Sequence, residues 1–579
     1  MKKRRRESAK GSEHGSSASS IFAGLDASTH ATAYRTAQPY PHARLADVFQ
    51  ESHLLKVRQE LQQLQSTFKE TDLFKLYQTG DLANIDPTNP EHATSLPATI
   101  ALRAALYSEP FRAFVRGVTG CAPLTSQQDC SCNVYKRGGH LLCHDDVIGT
   151  RCVSYILYLS RPGKQWHPQL GGALELYAVD IDSGAVDPAP VSSLSPEFGT
   201  MVMFGVLPGR SYHSVQEVGS KVPRLSVSGW FHAANPPEGY DQTASLAQLR
   251  GQLQNDAGGG GGGGVSGGGA PRAVRVRRAP KPQRSLTSTE SSRLAVLVNP
   301  AYLEPATIKA VRAQLRSEGA ALLASFLHPQ LAAAIRKRAN AFDANDGLAV
   351  GAIPEHAAGA NRKGWRLVGP PQLRRYMRFR APKKAAAKAR RADGAAAADA
   401  DAVDPANADA ADAGAEAAAA RMSLGMMLEE VRQLMHSAAF VQLLSAISGL
   451  AAATVASEVR RFRPGLDYTL AHVGTQCTAP TLDATLCFVA ATSSQLALWD
   501  SGDVGGFECH VEASAEDTRG AAEVYRAADD TAGVTSIHAQ PNALSLVLRK
   551  PEAMKFIKYV SAGAPGSRWD VAAEYATAV

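Results

Sequence analysis

The chain has 579 residues, of which 45% are hydrophobic and 20% are charged. That length predicts more than one domain, and that balance is typical of a globular protein. No apolar run approaches the length of about eighteen residues that a membrane-spanning helix needs, so we expect no membrane partner. The eight cysteines include no CxxC pair, which predicts reduced thiols and argues against a disulfide framework or a zinc site.

The net charge of +7 is concentrated in three basic runs, Lys2–Arg6, Arg272–Arg284 and Lys383–Arg391, each within a segment that is predicted to be disordered. The first run is typical of a nuclear localisation signal and equally of a solvated tail. We therefore expect the protein in the nucleus and the cytoplasm. Such charge also favours an RNA-rich partner such as the ribosome, but charge alone is non-specific, so direct nucleic-acid binding stays open.

Two low-complexity segments divide the chain. The first is rich in glycine, includes the unbroken run Gly258–Gly264 and then becomes basic, and such a coil cannot form a core. The second is almost wholly Ala, Asp and Glu after a basic start, and it has no apolar face. The predicted regions are a disordered basic tail at 1–20, an ordered domain at 21–250, a linker at 251–292, and a second domain at 293–579 with a disordered insertion at about 384–420.

The first ordered region begins with helical patterns and continues with strands. Apolar residues at three-to-four spacing predict an amphipathic helix over Leu45–Phe68, and a second predicted helix over Pro97–Val118 begins with proline. From Cys132 onward the apolar period is two. Several short strands in succession predict a sandwich or barrel that follows the helices. The clearest strands are predicted at Arg151–Ser160, Gly172–Val179, Thr200–Val206 and Arg224–His232.

A set of polar residues accompanies these strands. His144 and Asp146 form a His-x-Asp pair, and His213 and Arg224 follow after three predicted strands. Taken singly, each has a simpler explanation, such as a histidine bonded to an adjacent aspartate, a loop cap, or an arginine paired with a nearby glutamate. Together they match the two histidines and one carboxylate of non-haem Fe(II) oxygenases. The spacing of that pair selects Asp146 over the neighbouring Asp145.

Such chemistry also needs a site for 2-oxoglutarate. This co-substrate chelates iron through its keto oxygen and C1 carboxylate, while its C5 carboxylate requires a fixed cation. Arg224 opens the strand after His213 and offers two parallel donors to a carboxylate. Tyr135 and Tyr158 are ordinary core residues by default. In a barrel, however, their strands would flank the site and their hydroxyls would reach the co-substrate.

Several strings stand out: Leu141–Asp146, Ile156–Leu159, Gly171–Tyr177 and Arg224–His232 in the first region, with Gly505–Glu508 and Leu544–Arg549 in the second. Together they resemble the ribosomal prolyl 3-hydroxylase family of 2-oxoglutarate- and Fe(II)-dependent oxygenases. The resemblance extends over nearly the whole ordered chain and goes well beyond a generic iron triad.

The resemblance implies C3 hydroxylation of a proline in a small-subunit ribosomal protein at the decoding centre, with an influence on translation accuracy and termination. It implies Fe(II) and 2-oxoglutarate as cofactors, with ascorbate in a supporting role. The implied fold is α+β, with two double-stranded β-helix (jelly-roll) domains in tandem, each with supporting helices. The implied site residues are His144, Asp146 and His213 for iron, and Arg224, Tyr158 and Tyr135 for 2-oxoglutarate.

The second region reads as a degenerate copy of the first. Its segment Phe462–His472 parallels Tyr135–His144 with one extra residue. In this register His472 matches the first histidine ligand, Gly474 replaces the aspartate, and Phe556 falls near the second histidine. One ligand of three is too few to hold iron, so we predict that the second domain is not catalytic.

Other patterns in the second region receive simpler interpretations. His510-Val-Glu512 imitates a His-x-carboxylate pair and His538 precedes Arg549, but both fall outside the ligand positions of the repeat. The basic and aromatic stretch Asn361–Arg380 is predicted to be a solvated loop, with contact to an extended partner as the alternative.

Two alternative functions stay open at this point. One is an oxygenase that acts on another protein or on nucleic acid. The other is a binding protein that recruits translation-termination or mRNA-decay factors. The intact set of candidate ligands in the first region favours an enzyme.

Overall fold

The structure is a computed structural model, and it describes residues 21–240, 271–276, 280–282, 284–382, 422–471, 479–512, 534–551 and 553–577. The predicted tail at 1–20, the run Gly258–Gly264 and the predicted insertion at 384–420 lie outside the described residues. The described chain divides into two compact units, one built mainly from residues before 240 and the other mainly from residues after 270. Among the helices described, none is long and apolar enough to cross a membrane.

The first unit is built on one curled antiparallel sheet. Its strands are β1 (His42–Leu45), β2 (Thr67–Glu70), β3 (Phe74–Gln78), β4 (Cys130–Tyr135), β5 (His140–His144), β6 (Arg151–Tyr158), β7 (Leu174–Leu176), β8 (Ser192–Leu194), β9 (Met201–Gly205), β10 (His213–Val215) and β11 (Arg224–His232). They pair in the order β1-β9-β6-β11-β4-β3-β5-β10-β7-β8, and β2 pairs with β3. The helices are α1 (Ala27–Thr36), α2 (Glu51–Gln63), α3 (Pro90–Ser95), α4 (Pro97–Leu106) and α5 (Glu109–Thr119).

The alternation of side chains along β6 separates the two faces of this sheet. Val153, Tyr155 and Leu157 pack into a large cluster with apolar residues of the helices. Ile156 and Tyr158 belong to a smaller cluster with Leu174, Leu176, Val202 and Phe204 on the inner face. Successive residues of a strand point to opposite faces, so a strand buried on both faces reads as a continuous apolar run. Strand β6 therefore contributes side chains both to the core beneath the helices and to the inner face of the curled sheet.

Both helix predictions differ from the structure. The helix predicted over Leu45–Phe68 is limited to Glu51–Gln63, because Leu45 ends β1 and Phe68 lies in β2. The helix predicted over Pro97–Val118 is two helices with a break at Tyr107 and Ser108. Pro110 accounts for the break, since proline has no amide hydrogen and its ring clashes with the carbonyl four residues earlier.

The second unit has a nine-stranded sheet and a three-stranded sheet. Its strands are β12 (Val274–Arg275), β13 (Ala320–Leu323), β14 (Trp365–Val368), β15 (Arg374–Phe379), β16 (Ala452–Phe462), β17 (Tyr468–Thr469), β18 (Thr481–Phe488), β19 (Glu508–Glu512), β20 (Val534–Ile537), β21 (Ala543–Arg549), β22 (Ala553–Ile557) and β23 (Arg568–Thr577). The main order is β13-β21-β18-β23-β16-β15-β14, and the small sheet runs β20-β19-β22. The helices are α6 (Ser288–Ala295), α7 (Pro305–Glu318), α8 (Pro329–Asn345), α9 (Leu424–His436), α10 (Ala438–Ser448) and α11 (Ser493–Asp500).

Part of the segment predicted as a linker has regular structure. Val274 and Arg275 pair antiparallel with Val455 and Thr454 of β16. Helix α6 then begins at Ser288, where Thr287 and Glu290 form a reciprocal capping box. Such a box satisfies amide donors at the start of a helix, which explains why α6 begins before residue 293.

The prediction of a solvated loop over Asn361–Arg380 is wrong. The segment contains β14 and β15, which pair as an antiparallel hairpin. Its Arg378 is 5% exposed, and the Nε atom of Arg378 lies 2.6 Å from a carboxylate oxygen of Glu458. The hydroxyl of Tyr376 donates to the same carboxylate at 2.9 Å. A buried arginine requires such partners, and only the folded chain supplies them.

The aromatic core of the first unit should dominate its stability. Phe111 is fully buried and its ring stacks on Phe22 with centroids 4.9 Å apart. We expect Phe111→Ala to lower the free energy of unfolding of this unit by about 3–5 kcal/mol, because it leaves a cavity. Chemical denaturation followed by tryptophan fluorescence measures the change. The control Val191→Ala, in the same unit, removes a side chain that is 55% exposed and should change stability little. Equal losses in the two variants would contradict this account of the core.

Candidate active site

Three candidate ligands converge on the inner face of the first unit. His144 ends β5, His213 begins β10, and the two residues are direct cross-strand partners. Asp146 follows β5 in a left-handed conformation with φ of 61°. One ligand atom from each residue lies within 4.8 Å of the others. The structure therefore brings together the three residues that the sequence predicted as metal ligands.

Both histidines are oriented as metal ligands. Nδ1 of His144 lies 2.8 Å from the carbonyl oxygen of Leu142, and Nδ1 of His213 lies 2.8 Å from that of Ser211. A carbonyl only accepts, so each Nδ1 carries a proton and each Nε2 faces the metal position. These Nε2 atoms lie 3.3 and 3.4 Å from the two carboxylate oxygens of Asp146. The arrangement directs two ring nitrogens and one carboxylate to a single point.

The carboxylate of Asp146 is held in its charged form. Burial alone would raise its pKa, but the pKa lies well below the ordinary value because of attraction to His213 and hydrogen bonds from both histidines. The hydroxyl of Ser154 on β6 donates a further hydrogen bond of 3.0 Å to its Oδ2. The neighbouring Asp145 instead accepts from the backbone amides of Val147 and Gly209. The geometry thus favours Asp146 over Asp145.

A buried arginine with free donors lies on the same face. Arg224 is 1% exposed and sits directly across from Tyr135 of β4. Its guanidinium carbon lies 4.8 Å from the ring centre of Tyr135 and 5.1 Å from that of Tyr158. Nη1 donates to Ser226 at 3.3 Å, but Nε and Nη2 find no hydrogen-bond acceptor among the residues that the structure describes.

Unpartnered buried donors of this kind are costly, and a native protein retains them where a ligand completes them. Two guanidinium donors with a neighbouring phenol match a carboxylate group, which accepts two parallel hydrogen bonds from arginine. Burial raises the pKa of Tyr135 to about 12 and also raises the pKa of Tyr158, so both phenols stay protonated at neutral pH. The residues present therefore fit a dicarboxylic co-substrate.

Sequence reasoning missed Trp230 as a site residue. Trp230 is paired across the sheet with Ser154, so both side chains point to the same face. The guanidinium of Arg151 stacks over its ring at 3.4 Å, and Nε of Arg151 lies 3.4 Å from a carboxylate oxygen of Asp129. In the sequence, the only indication that Trp230 lies near the site was the period of two along β11, which places Trp230 on the same face as Arg224. The indole nitrogen of Trp230 is buried, and no described residue accepts a hydrogen bond from it.

Family models match both regions of the chain. Residues 130–232 match the 2OG-Fe(II) oxygenase superfamily, and this range contains all six predicted site residues. Residues 289–579 match the model described as the oxoglutarate and iron-dependent oxygenase degradation C-term. The first match agrees with the metal-binding geometry, because this superfamily uses Fe(II) and 2-oxoglutarate.

Individual relatives support the family matches, and one of them covers nearly the whole chain. A protein of Ostreococcus tauri, prolyl 3,4-dihydroxylase OGFOD1, is 36% identical over 93% of this chain and 95% of its own length. The prolyl 3-hydroxylase OGFOD1 of Xenopus laevis is 36% identical over 35% of this chain and 37% of its own. The prolyl 3-hydroxylase sudestada1 of Drosophila melanogaster is 31% identical over 30% of this chain and 31% of its own. The chain therefore belongs to the OGFOD1 family of prolyl hydroxylases, which are Fe(II)- and 2-oxoglutarate-dependent oxygenases.

Proposed function

We propose that the chain hydroxylates a prolyl residue of a small-subunit ribosomal protein at the decoding centre, at C3 of the ring. The observation that carries the proposal is the convergence of His144, Asp146 and His213 beside the unpartnered donors of Arg224. The relatives are named as prolyl 3-hydroxylases or dihydroxylases, which supports proline as the substrate. The ribosomal protein rests on the family resemblance of the sequence.

Each site residue has a defined task in this proposal. His144, Asp146 and His213 hold Fe(II), Arg224 and Tyr158 bind the distal carboxylate of 2-oxoglutarate, and Tyr135 lines the same pocket. When bound, iron and 2-oxoglutarate supply the oxidising power to insert oxygen from O2 into a C–H bond. The protein contributes orientation: the Nδ1 hydrogen bonds fix both imidazoles, and Ser154 fixes the carboxylate.

Trp230 and Arg151 are proposed to receive the prolyl ring. Trp230 shares the face of Ser154, whose hydroxyl bonds directly to Asp146, so the indole borders the metal ligands. An aromatic face packs well against a saturated ring, and the stacked guanidinium holds the indole in place. The same pair would exclude water from the reacting C–H bond.

We further propose that the two units are double-stranded β-helix domains in tandem and that the second is a non-catalytic copy. The order β1-β9-β6-β11-β4 of the first unit matches β13-β21-β18-β23-β16 of the second. The small sheet β20-β19-β22 likewise matches β8-β7-β10. A repeated strand order with the same chain connectivity supports a common fold.

Register supports the same relation. Arg224 faces Tyr135 across the sheet, and Arg568 faces Phe462 in the matching strand pair. Gly171 and Gly505 both have positive φ, and a Cβ at these positions would collide with the carbonyl oxygen of Glu217 or Tyr559 on the facing segment. A side chain is excluded at both positions, so the same close backbone approach accounts for both glycines.

In the second unit a lysine takes the place of the second histidine ligand. When Gly505 is aligned with Gly171, Glu508 corresponds to Leu174. Glu508 pairs with Ile557 and Leu174 pairs with Val215, so Ile557 corresponds to Val215. Two residues earlier in each strand, Lys555 therefore corresponds to His213. Phe556, the residue expected there from the sequence, is one position away. The ammonium group of Lys555 lies 3.3 Å from a carboxylate oxygen of Asp483, and such a group has no lone pair for a metal. His472 lies outside the described residues.

Arg568, which corresponds to Arg224, is paired with acidic side chains. Nε of Arg568 donates to Asp570 at 3.0 Å, and its Nη2 lies 3.5 Å from Glu508. Ser226 and Asp570 occupy matching positions, since each follows the arginine by two residues on matching strands. The first unit therefore has an uncharged side chain where the second has a carboxylate. A carboxylate ligand would therefore meet a cation that already has its counter-ions.

Arg224 and Arg568 provide a matched pair of variants. Arg224→Lys should raise the Kd of 2-oxoglutarate by about tenfold or more, because lysine is a point charge without the two-pronged geometry. Arg568→Lys should leave that Kd unchanged. Calorimetric titration with Mn(II) in place of iron measures both, with melting curves to verify that each variant is folded. An unchanged Kd in Arg224→Lys would refute the assigned role.

Trp230 is tested by comparing an aliphatic with an aromatic replacement. Trp230→Ala should raise the KM for the peptide substrate by about tenfold, since it removes the packing surface, whereas Trp230→Phe should retain most of it. The KM for 2-oxoglutarate should stay the same in both. If Trp230→Ala changed only 2-oxoglutarate binding, the residue would belong to the co-substrate pocket instead.

Tandem mass spectrometry tests the proposed reaction. The full chain is incubated with Fe(II), 2-oxoglutarate, ascorbate, oxygen and a proline-containing peptide of the decoding-centre protein. We expect a gain of one or two oxygen atoms on proline, lost completely in His144→Ala and retained in His472→Ala. Succinate formation without peptide oxidation would keep the oxygenase and reject the substrate. Absence of succinate would favour a binding protein that recruits translation or mRNA-decay factors.

A further inference from the structure

Ser211 lies beside the metal ligands without being one of them. It precedes His213 by two residues and is fully buried. Its hydroxyl accepts a hydrogen bond of 3.0 Å from the amide of Leu207, and it lies 3.0 Å from the carbonyl oxygen of Asp145 and 3.2 Å from that of Leu207. A hydroxyl has a single hydrogen, and the shorter of the two contacts assigns it to Asp145. Ser211 therefore joins the segment of His213 to the segment that contains Asp146.

This hydrogen bond lies just beyond the end of the strand pairing. His144 and His213 are cross-strand partners, and they are the last residue of β5 and the first residue of β10. Past His144 the chain bends away, because Asp146 has a φ of 61°. The hydroxyl of Ser211 thus continues the connection between the two segments where the two strands end.

Ser211 contacts the backgrounds of two different ligands. Its own carbonyl oxygen accepts a hydrogen bond of 2.8 Å from Nδ1 of His213 and so orients that ring. The carbonyl oxygen of Asp145 belongs to the planar peptide unit that leads into Asp146. A hydrogen bond to this oxygen fixes the plane from which the backbone of Asp146 starts. One serine therefore relates the imidazole of His213 to the carboxylate of Asp146.

The neighbours of Ser211 are anchored by other contacts. The amide of Gly209 donates to the carboxylate of Asp145 at 3.3 Å. The carbonyl oxygen of Tyr212 accepts from the amide of Tyr177 at 3.0 Å and from the hydroxyl of Tyr40 at 3.2 Å. Because these bonds do not involve the hydroxyl of Ser211, the segment should keep its place in the fold when that hydroxyl is removed.

The second unit has an alanine at the matching position. When Lys555 is aligned with His213, Ser211 corresponds to Ala553, which is buried and begins β22. A strand therefore forms at this place without a hydroxyl, so the fold does not require one. The hydroxyl is present in the unit that has the three candidate ligands and absent from the unit in which a lysine takes the place of one of them.

We propose that Ser211 is a positioning residue of the metal site, and that its hydroxyl increases the affinity of the protein for a divalent cation. The inference rests on the proposed assignment of His144, Asp146 and His213 as ligands. Without the hydroxyl, Asp146 gains freedom relative to His213, and metal binding must then restrict that freedom. Removal of a residue that orients a metal ligand typically weakens metal binding by about 10- to 100-fold.

Titration of the full chain with Mn(II) tests the proposal. Protein freed of metal is titrated, and the electron paramagnetic resonance signal of free Mn(II) gives the Kd of the tightest site. We expect Ser211→Ala to raise this Kd by about tenfold. Ser214→Ala is the matched control, because Ser214 is also buried and its hydroxyl bonds to Glu175 at 2.9 Å and to Tyr177 at 3.1 Å. Its Kd should stay at the native value, and neither measurement requires substrate or turnover.

Asp146→Ala separates this inference from the assignment of the ligands. This variant should lose the tight site. If it did so while Ser211→Ala bound Mn(II) as tightly as the native protein, the ligands would stand and the role of Ser211 would be refuted. If Asp146→Ala bound Mn(II) like the native protein, the ligand assignment would fail, and the role of Ser211 with it.

Two further measurements distinguish positioning from a general effect on the fold. Equal weakening of Mn(II) binding in Ser211→Ala and Ser214→Ala would indicate a loosened β10 and would reject the proposal. Melting curves of the metal-free variants verify that each is folded. Should Ser211→Ala not fold, Ser211→Cys keeps a side chain of similar shape with only a weak donor, so it should raise the Kd in the same direction. A native Kd in Ser211→Cys would then overturn the proposal.

Discussion

The antiparallel pairing of β5 with β10 is the contact on which the metal-binding geometry depends. It makes His144 and His213 direct partners, so that their rings project from neighbouring strands toward one face. Asp146 joins them because the chain leaves β5 through a left-handed residue, a conformation that aspartate tolerates better than most side chains. The carbonyl partners of both Nδ1 atoms then leave each Nε2 free for a metal. Strand register, a single unusual backbone angle and backbone carbonyls together define the ligand set.

The two units differ most in how they treat buried charge. In the first, Arg224 keeps two donors that no described residue satisfies, and the carboxylate of Asp146 faces two histidines. In the second, Arg568 is paired with acidic groups and Lys555 lies beside Asp483. Uncompensated buried groups destabilise a fold unless a ligand completes them. The first arrangement is therefore suited to ligands, whereas the second satisfies its charges internally.

Strand β6 connects two features of the first unit. Its outward residues pack on the helices, while Tyr158 and Ser154 serve the inner face. The strand lies within a hydrogen-bonded frame, because β6 pairs with β9 on one side and with β11 on the other. The support that Ser154 gives to Asp146 is therefore anchored in the interior of the sheet.

The sequence alone determined the candidate ligands, the strand over Arg224–His232 and the neighbouring arginine, because ligand spacing and the period of two are local properties. It did not reveal Trp230, the burial of the hairpin over Trp365–Phe379, or the lysine that lies beside Asp483 in the second unit. Each of these depends on which residue lies opposite on another strand, and a one-residue shift of register exchanges the two faces. The sequence also misplaced the start of a predicted helix, because Leu45 is buried at the end of strand β1 and does not belong to a helix. Local sequence patterns identified the residues that can bind a metal or a carboxylate, and only cross-strand pairing determined which side chains meet.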